Sequence, residues 1–95
     1  MHDYELTVVI SPEVADEELS TTIEKVTSWI TDKGGSITQI DQWGRRKLAY
    51  PIKRFFEGSY VLARFQSEPQ LMTELEANLR MSEEVLRHLL VRVNE

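Results

Sequence analysis

The chain has 95 residues, 41% of them hydrophobic and 28% charged, with no cysteine and a formal charge of −5; that is room for one globular domain, residues 1–95, and no second. Thiolate zinc centres and iron–sulfur clusters are excluded, and the lack of cysteine fits a reducing, cytoplasmic setting. No basic segment followed by an apolar run opens the chain, and stretches such as Val8-Val9-Ile10 are far too short to span a membrane, so the sequence predicts a soluble protein with no membrane contact.

Alternation at Tyr4, Leu6, Val8 and Ile10 predicts a first strand, ended by Ser11-Pro12. Asp16, Glu17 and Glu18 then suit the positive end of a helix dipole, with Asp16 as the N-cap. Leu19, Ile23, Val26 and Ile30 fall on one helical face, and Gly34-Gly35 ends the helix. From Ser36 to Ile52 the pattern is β-like but irregular: Ile37 and Ile40 break phase and Gly44 interrupts, which predicts a bulge or bend. Alternation resumes at Leu48, Tyr50 and Ile52, and Pro51 places this strand at a sheet edge. Lys53 to Gly58 reads as a connection to a third strand around Tyr60–Phe65, the two strands pairing as a hairpin. Ser67 and Gln70 have capping-box spacing ahead of a second helix whose buried stripe is Leu71, Leu75 and Leu79, with Met72 alongside. Val85 to Val93 returns to strand with apolar residues on both alternations. The order βαββαβ predicts an α+β, ferredoxin-like fold, with two helices on one face of a four-stranded antiparallel sheet.

Nothing in this pattern assembles a catalytic site. His88 has no spaced partner and reads as a packed or surface side chain rather than a general base; His2 and Asp3 alone make a weak metal site. Ser11-Pro12-Glu13-Val14-Ala15, after the first strand, has neither the arginine of an anion-binding hydrolase nor the paired cysteines of a metal carrier. A small-ligand-binding regulatory domain of the same form is the alternative; it favours glycines in the first connection, whereas here they follow the helix. Gly58 to Phe65 keeps a fragment of an RNA-recognition pattern without the aromatic density to stack several bases.

Charge is the remaining signal. Residues 1–44 carry two basic and nine acidic groups, and residues 45–95 nine basic and seven acidic. Arg45, Arg46, Lys47, Lys53 and Arg54 place five of the eleven cations within ten residues, and Arg80, Arg87 and Arg92 follow. Such a cluster is either a solvated face or a surface for phosphates. Trp43 and Tyr50 beside it belong by default to the core, and Tyr50, in phase with Leu48 and Ile52, is expected there at a truncation cost of roughly 3 to 5 kcal/mol. RNA contacts are then expected at phosphates more than at base edges.

At Trp43-Gly44-Arg45-Arg46-Lys47-Leu48-Ala49-Tyr50-Pro51-Ile52-Lys53 the chain closely resembles the bacterial small-subunit ribosomal protein S-six family. The resemblance extends through Tyr4-Glu5, Gly34-Gly35, Gly58 with Tyr60, Glu74-Leu75 and Val85-Leu86-Arg87-His88. It implies a ferredoxin-like fold and a non-catalytic protein, with no cofactor or small-molecule substrate. It also implies binding to the central domain of small-subunit ribosomal RNA as a heterodimer with ribosomal protein S-eighteen. Arg46 and Lys47 match the family's basic pair and Arg87 its arginine in the last strand; Arg80 and Arg92 match less specifically, while Lys53 and Arg54 join the set through charge. The chain departs from the family at His2-Asp3, where many members are basic, and in stopping at Glu95 without an extended tail.

Overall fold

In the computed structural model, which describes residues 1–93, the alternating strand β1 (His2–Ile10) lies inside an antiparallel sheet of order β2-β3-β1-β4. The other strands are β2 (Ser36–Ile52), β3 (Phe55–Ser67) and β4 (Val85–Val93). Tyr4, Leu6, Val8 and Ile10 are at most 6% exposed because helices α1 (Leu19–Thr31) and α2 (Leu71–Met81) cover their side of the sheet. Ile23, Val26 and Ile30 descend from α1, Leu71, Leu75 and Leu79 from α2, and Val61 and Phe65 meet them from β3. Tyr4 and Phe65 are register partners whose rings stack with centroids 5.5 Å apart, a geometry worth about 0.5–1.5 kcal/mol beyond the area it buries. The βαββαβ order, the ferredoxin-like architecture and the edge position of β2 are as the sequence predicts. The ending at Glu95 lies outside the described residues.

Pairing resolves the ambiguous phase of the last strand. Leu90 stands opposite Leu6 and His88 opposite Val8, so these two face the helices, while Arg87, Leu89 and Val91 point to the uncovered side. The His88 ring Nε2 lies 2.6 Å from Oε1 of Glu76 on α2, which makes it a packed, partnered side chain.

Both predicted helix starts are corrected. Asp16 does not cap: it begins a single 3-10 turn, Asp16–Glu18, and α1 follows from Leu19 with no side-chain cap. Its carboxylate reaches across to Arg45 Nη2 at 3.3 Å instead. The Ser67–Gln70 capping box also fails to form, because Ser67 is still held in the β ladder opposite His2. Its hydroxyl donates to the Glu68 carbonyl at 3.1 Å, and α2 starts at Leu71 without a side-chain cap.

The largest difference lies in the hairpin. The expected connection over Lys53–Gly58 shrinks to a two-residue turn, Lys53 and Arg54, with φ of 50° and 69°, and Ile52 already pairs with Phe55. Two successive positive φ values match the right-handed twist of paired strands. Neither residue is the glycine or asparagine that normally advertises such a turn, and each pays a left-handed penalty of roughly 1–2 kcal/mol. The strands therefore run on past the rest of the sheet: β1 ends where Ile10 faces Ser59, and everything beyond Gly58 is a two-stranded arm. A Cβ on Gly58 would sit 2.6 Å from Val9 Cγ1 and 3.0 Å from the Ile10 carbonyl oxygen. Val9, which alternation turns away from the helices, is nonetheless only 4% exposed, with the Gly58 backbone close against it.

Replacing Gly58 by alanine is expected to destabilise the fold by about 1–3 kcal/mol, since a backbone oxygen cannot yield as a side chain can. Thermal melting should register roughly 4–8 °C per kcal/mol for a domain of this size.

A second tie fastens the start of β4 to α1. Lys25 Nζ lies 2.6 Å from Glu84 Oε1, the buried Thr22 hydroxyl donates to Oε2 at 3.2 Å, and Ser11 N–H donates to the Glu84 carbonyl at 2.8 Å. The hydrogen bond from Lys25, more than its charge, holds the carboxyl below its ordinary value of 4.5 against the opposing effect of burial. A depressed folded value stabilises the protein above pH 4.5, and this contribution fades as pH falls through the folded value. Glu84→Gln should flatten that part of the acid-unfolding curve by no more than about 1 kcal/mol, as the pair is partly solvated.

Candidate nucleic-acid interface

The arm collects the predicted cations because the strand bends where it must. Pairing slips between Gln42 and Gly44, and Gly44 adopts φ +83°, a left-handed conformation that glycine takes without strain at a bulge. Past the bulge, Arg46 faces Gly58 and Lys47 faces Glu57, while Lys53 and Arg54 form the tip. Residues 42–58 hold five cations and a single acid, Glu57. That acid is taken by Arg45, whose guanidinium lies 3.5 Å from Glu57 and 3.3 Å from Asp16.

Among the described residues, no carboxylate meets the other arginines of the arm. Arg46 Nε donates to the Trp43 carbonyl at 3.3 Å, and its guanidinium carbon stands 6.0 Å from the centre of the Trp43 ring. Arg54 lies over Phe55 at 5.2 Å. Arg87, on the far edge strand, joins them by donating from Nη1 to the Tyr50 hydroxyl at 3.0 Å, so the arm reaches across to β4. Arg46, Lys47, Lys53, Arg54 and Arg87 are thus brought to one end of the molecule. Arg80 and Arg92 are not. Arg80 sits on α2 with Glu76 at 3.9 Å, and Arg92 faces Tyr4 across the ladder and meets the His2 ring at 2.5 Å.

Tyr50 is corrected: its side chain is not core but 57% exposed. Alternation implies burial only on a covered side, and Tyr50 meets Arg87 on the side of the sheet that the helices leave bare. Trp43, at the break in pairing beside Gly44, is 47% exposed, and Phe56, next to the tip of the arm, 69%. Sequence reasoning placed Trp43 and Tyr50 in the core by default and assigned Phe56 only to a connection. Tyr50→Ala should therefore cost less than about 1 kcal/mol, against about 2–5 kcal/mol for Leu75→Ala in the core; paired denaturant titrations check the contrast.

Among the described residues, no group of three or more His, Asp or Glu side chains is placed to hold a metal. No described helix is long and apolar enough to cross a membrane. The family model of ribosomal protein S6 matches residues 3–92. The chain belongs to the ribosomal protein S6 family. It is 44% identical over 95 residues to small ribosomal subunit protein bS6 of Caldanaerobacter subterraneus subsp. tengcongensis, covering 100% of both chains. Its identity to the Moorella thermoacetica bS6 is 41%, over 100% of this chain and 97% of that one. A crystal structure of 30S ribosomal protein S6 from Thermotoga maritima matches with a TM-score of 0.92 at 34% identity, covering 97% of this chain and 87% of the other. The C-terminal domain of MgtC from Mycobacterium tuberculosis shares the fold alone, at a TM-score of 0.58 and 14% identity over 98% of this chain and 88% of that one. Membership in the family identifies a ribosomal protein rather than an enzyme.

Proposed function

We propose that this S6-family chain works in the cytoplasm within the small ribosomal subunit, binding the central domain of its RNA as a heterodimer with ribosomal protein S-eighteen. The observation that carries the reading is the arm. On a chain of net charge −5, it gathers five cations, of which Arg45 is paired with Asp16 and Glu57, while Arg46 and Arg54, with Arg87 of β4 beside the arm, lie against a carbonyl, aromatic rings and a hydroxyl. Arg46, Lys47, Lys53, Arg54 and Arg87 contact phosphates together, and Arg80 and Arg92 reach outlying ones. Arginine also binds two phosphate oxygens at once, which suits an irregular RNA backbone. The partner protein offsets the weak long-range attraction of an acidic chain, and the exposed Leu89 and Val91 on the uncovered side of the sheet offer it apolar surface.

Titration of a central-domain RNA fragment should show weak binding by the chain alone and much tighter binding by the pair. The plot of log affinity against log salt should become shallower by about one unit for each phosphate contact removed. Replacing Arg46, Lys47 and Arg87 together should remove about two to three units on that basis. An unchanged slope would reduce the arm to a solvated face.

A further inference from the structure

We propose that Trp43 is a stacking platform for an unpaired RNA base, with Arg46 bound to the phosphate of the same or the adjoining nucleotide. The inference rests on the reading of the arm as an RNA surface and adds to it the residue and the part of the nucleotide it takes. Three features converge on the ring. The slip in pairing at Gly44 leaves Trp43 out of the ladder register, and 47% of it is exposed. One of its faces lies under the Arg46 guanidinium, which the hydrogen bond from Nε to the Trp43 carbonyl keeps in place. Because that bond uses Nε, the two terminal nitrogens of Arg46 stay available to oxygen acceptors.

An exposed indole beside an uncompensated guanidinium suits a nucleotide better than a protein surface. A base has a π-face for the ring and carries its own phosphate for the arginine. An apolar protein surface would cover the ring but would also strip water from Arg46, with no carboxylate to meet it: Glu57 and Asp16 are both engaged by Arg45. Leaving such a charge desolvated and unpaired is costly. The adjacent Lys47 adds to the preference for a polyanion.

The test uses the full chain carrying Trp29→Phe, so that fluorescence reports Trp43 alone. The probes, at low salt, are an octamer of adenylate and an abasic octamer with the same phosphates. The adenylate octamer should quench the emission and the abasic one should not. Trp43→Ala should weaken adenylate binding by roughly five- to a hundredfold, the range of base–aromatic stacking, with Trp43→Phe close to the parent. The salt slope should be unchanged in Trp43→Ala and shallower by about 0.7 in Arg46→Ala. Equal binding and quenching by the two octamers, or adenylate binding without quenching, would overturn the stacking role. So would a Trp43→Ala protein that melts normally, binds adenylate normally and pairs poorly with ribosomal protein S-eighteen, which would assign the ring to the protein partner. The reading of the arm itself fails separately, if the parent pair does not bind the central-domain fragment.

Discussion

Nothing separates the backbone at Gly58 from the end of β1, and the position of the arm depends on that close approach. Any side chain at residue 58 would meet Val9 Cγ1 and the Ile10 carbonyl oxygen. With only hydrogen there, β3 can pass tight over the end of β1 and cover Val9. The hairpin then carries Tyr50 to Arg87 on the opposite edge strand, although β2 and β4 are separated by two strands in the sheet. The core and the cationic end are therefore coupled: the contact that seals Val9 also determines where Arg46, Lys47, Lys53 and Arg54 are held.

The uneven charge acquires physical meaning from the dimensions of the molecule. It measures 36 Å along its longest axis, while charges are screened over about 8 Å at physiological ionic strength. At contact the arm presents its own cations more than the average of −5, since residues 42–58 hold five cations and one acid. At longer distance and lower salt, the average governs approach. A cationic end on an acidic chain therefore favours an anion at contact more than it attracts one from a distance.

What could be read in the sequence was what local periodicity determines. The core stripes of both helices, the strand order and the bulge near Gly44 follow from spacing and from glycine's freedom. The turn at Lys53-Arg54 was illegible because neither residue signals positive φ; strand pairing on both sides imposes it. The helix starts were misread because capping patterns are short, and at Ser67 the ladder claimed the residue first. Tyr50 and Trp43 were misplaced for a different reason. Alternation shows which side of a strand a residue occupies, but not whether a helix layer lies over that side. Which side the layer covers is a tertiary fact with no signature in the segment itself.

The arginines divide by partner in a way the sequence does not show. Arg45 and Arg64 lie against carboxylates, Asp16 and Glu57 for the first and Glu5 for the second; a phosphate would have to displace an anion to reach them. Arg46 and Arg87 are held by oxygens of a carbonyl and a hydroxyl, which are dipoles, and Arg54 by the face of a ring. Such contacts restrict the side chain without cancelling its charge. Part of the rotamer entropy lost on binding is thereby lost already in the free protein, and the guanidinium keeps its demand for an anion. The hydroxyl of Tyr50 can release Arg87 to a phosphate by exchanging a neutral hydrogen bond for a charge-assisted one, roughly twice as strong. On this argument a surface arginine is prepared for an anion when its present partner orients it but does not neutralise it, and the arm is where this chain concentrates such residues.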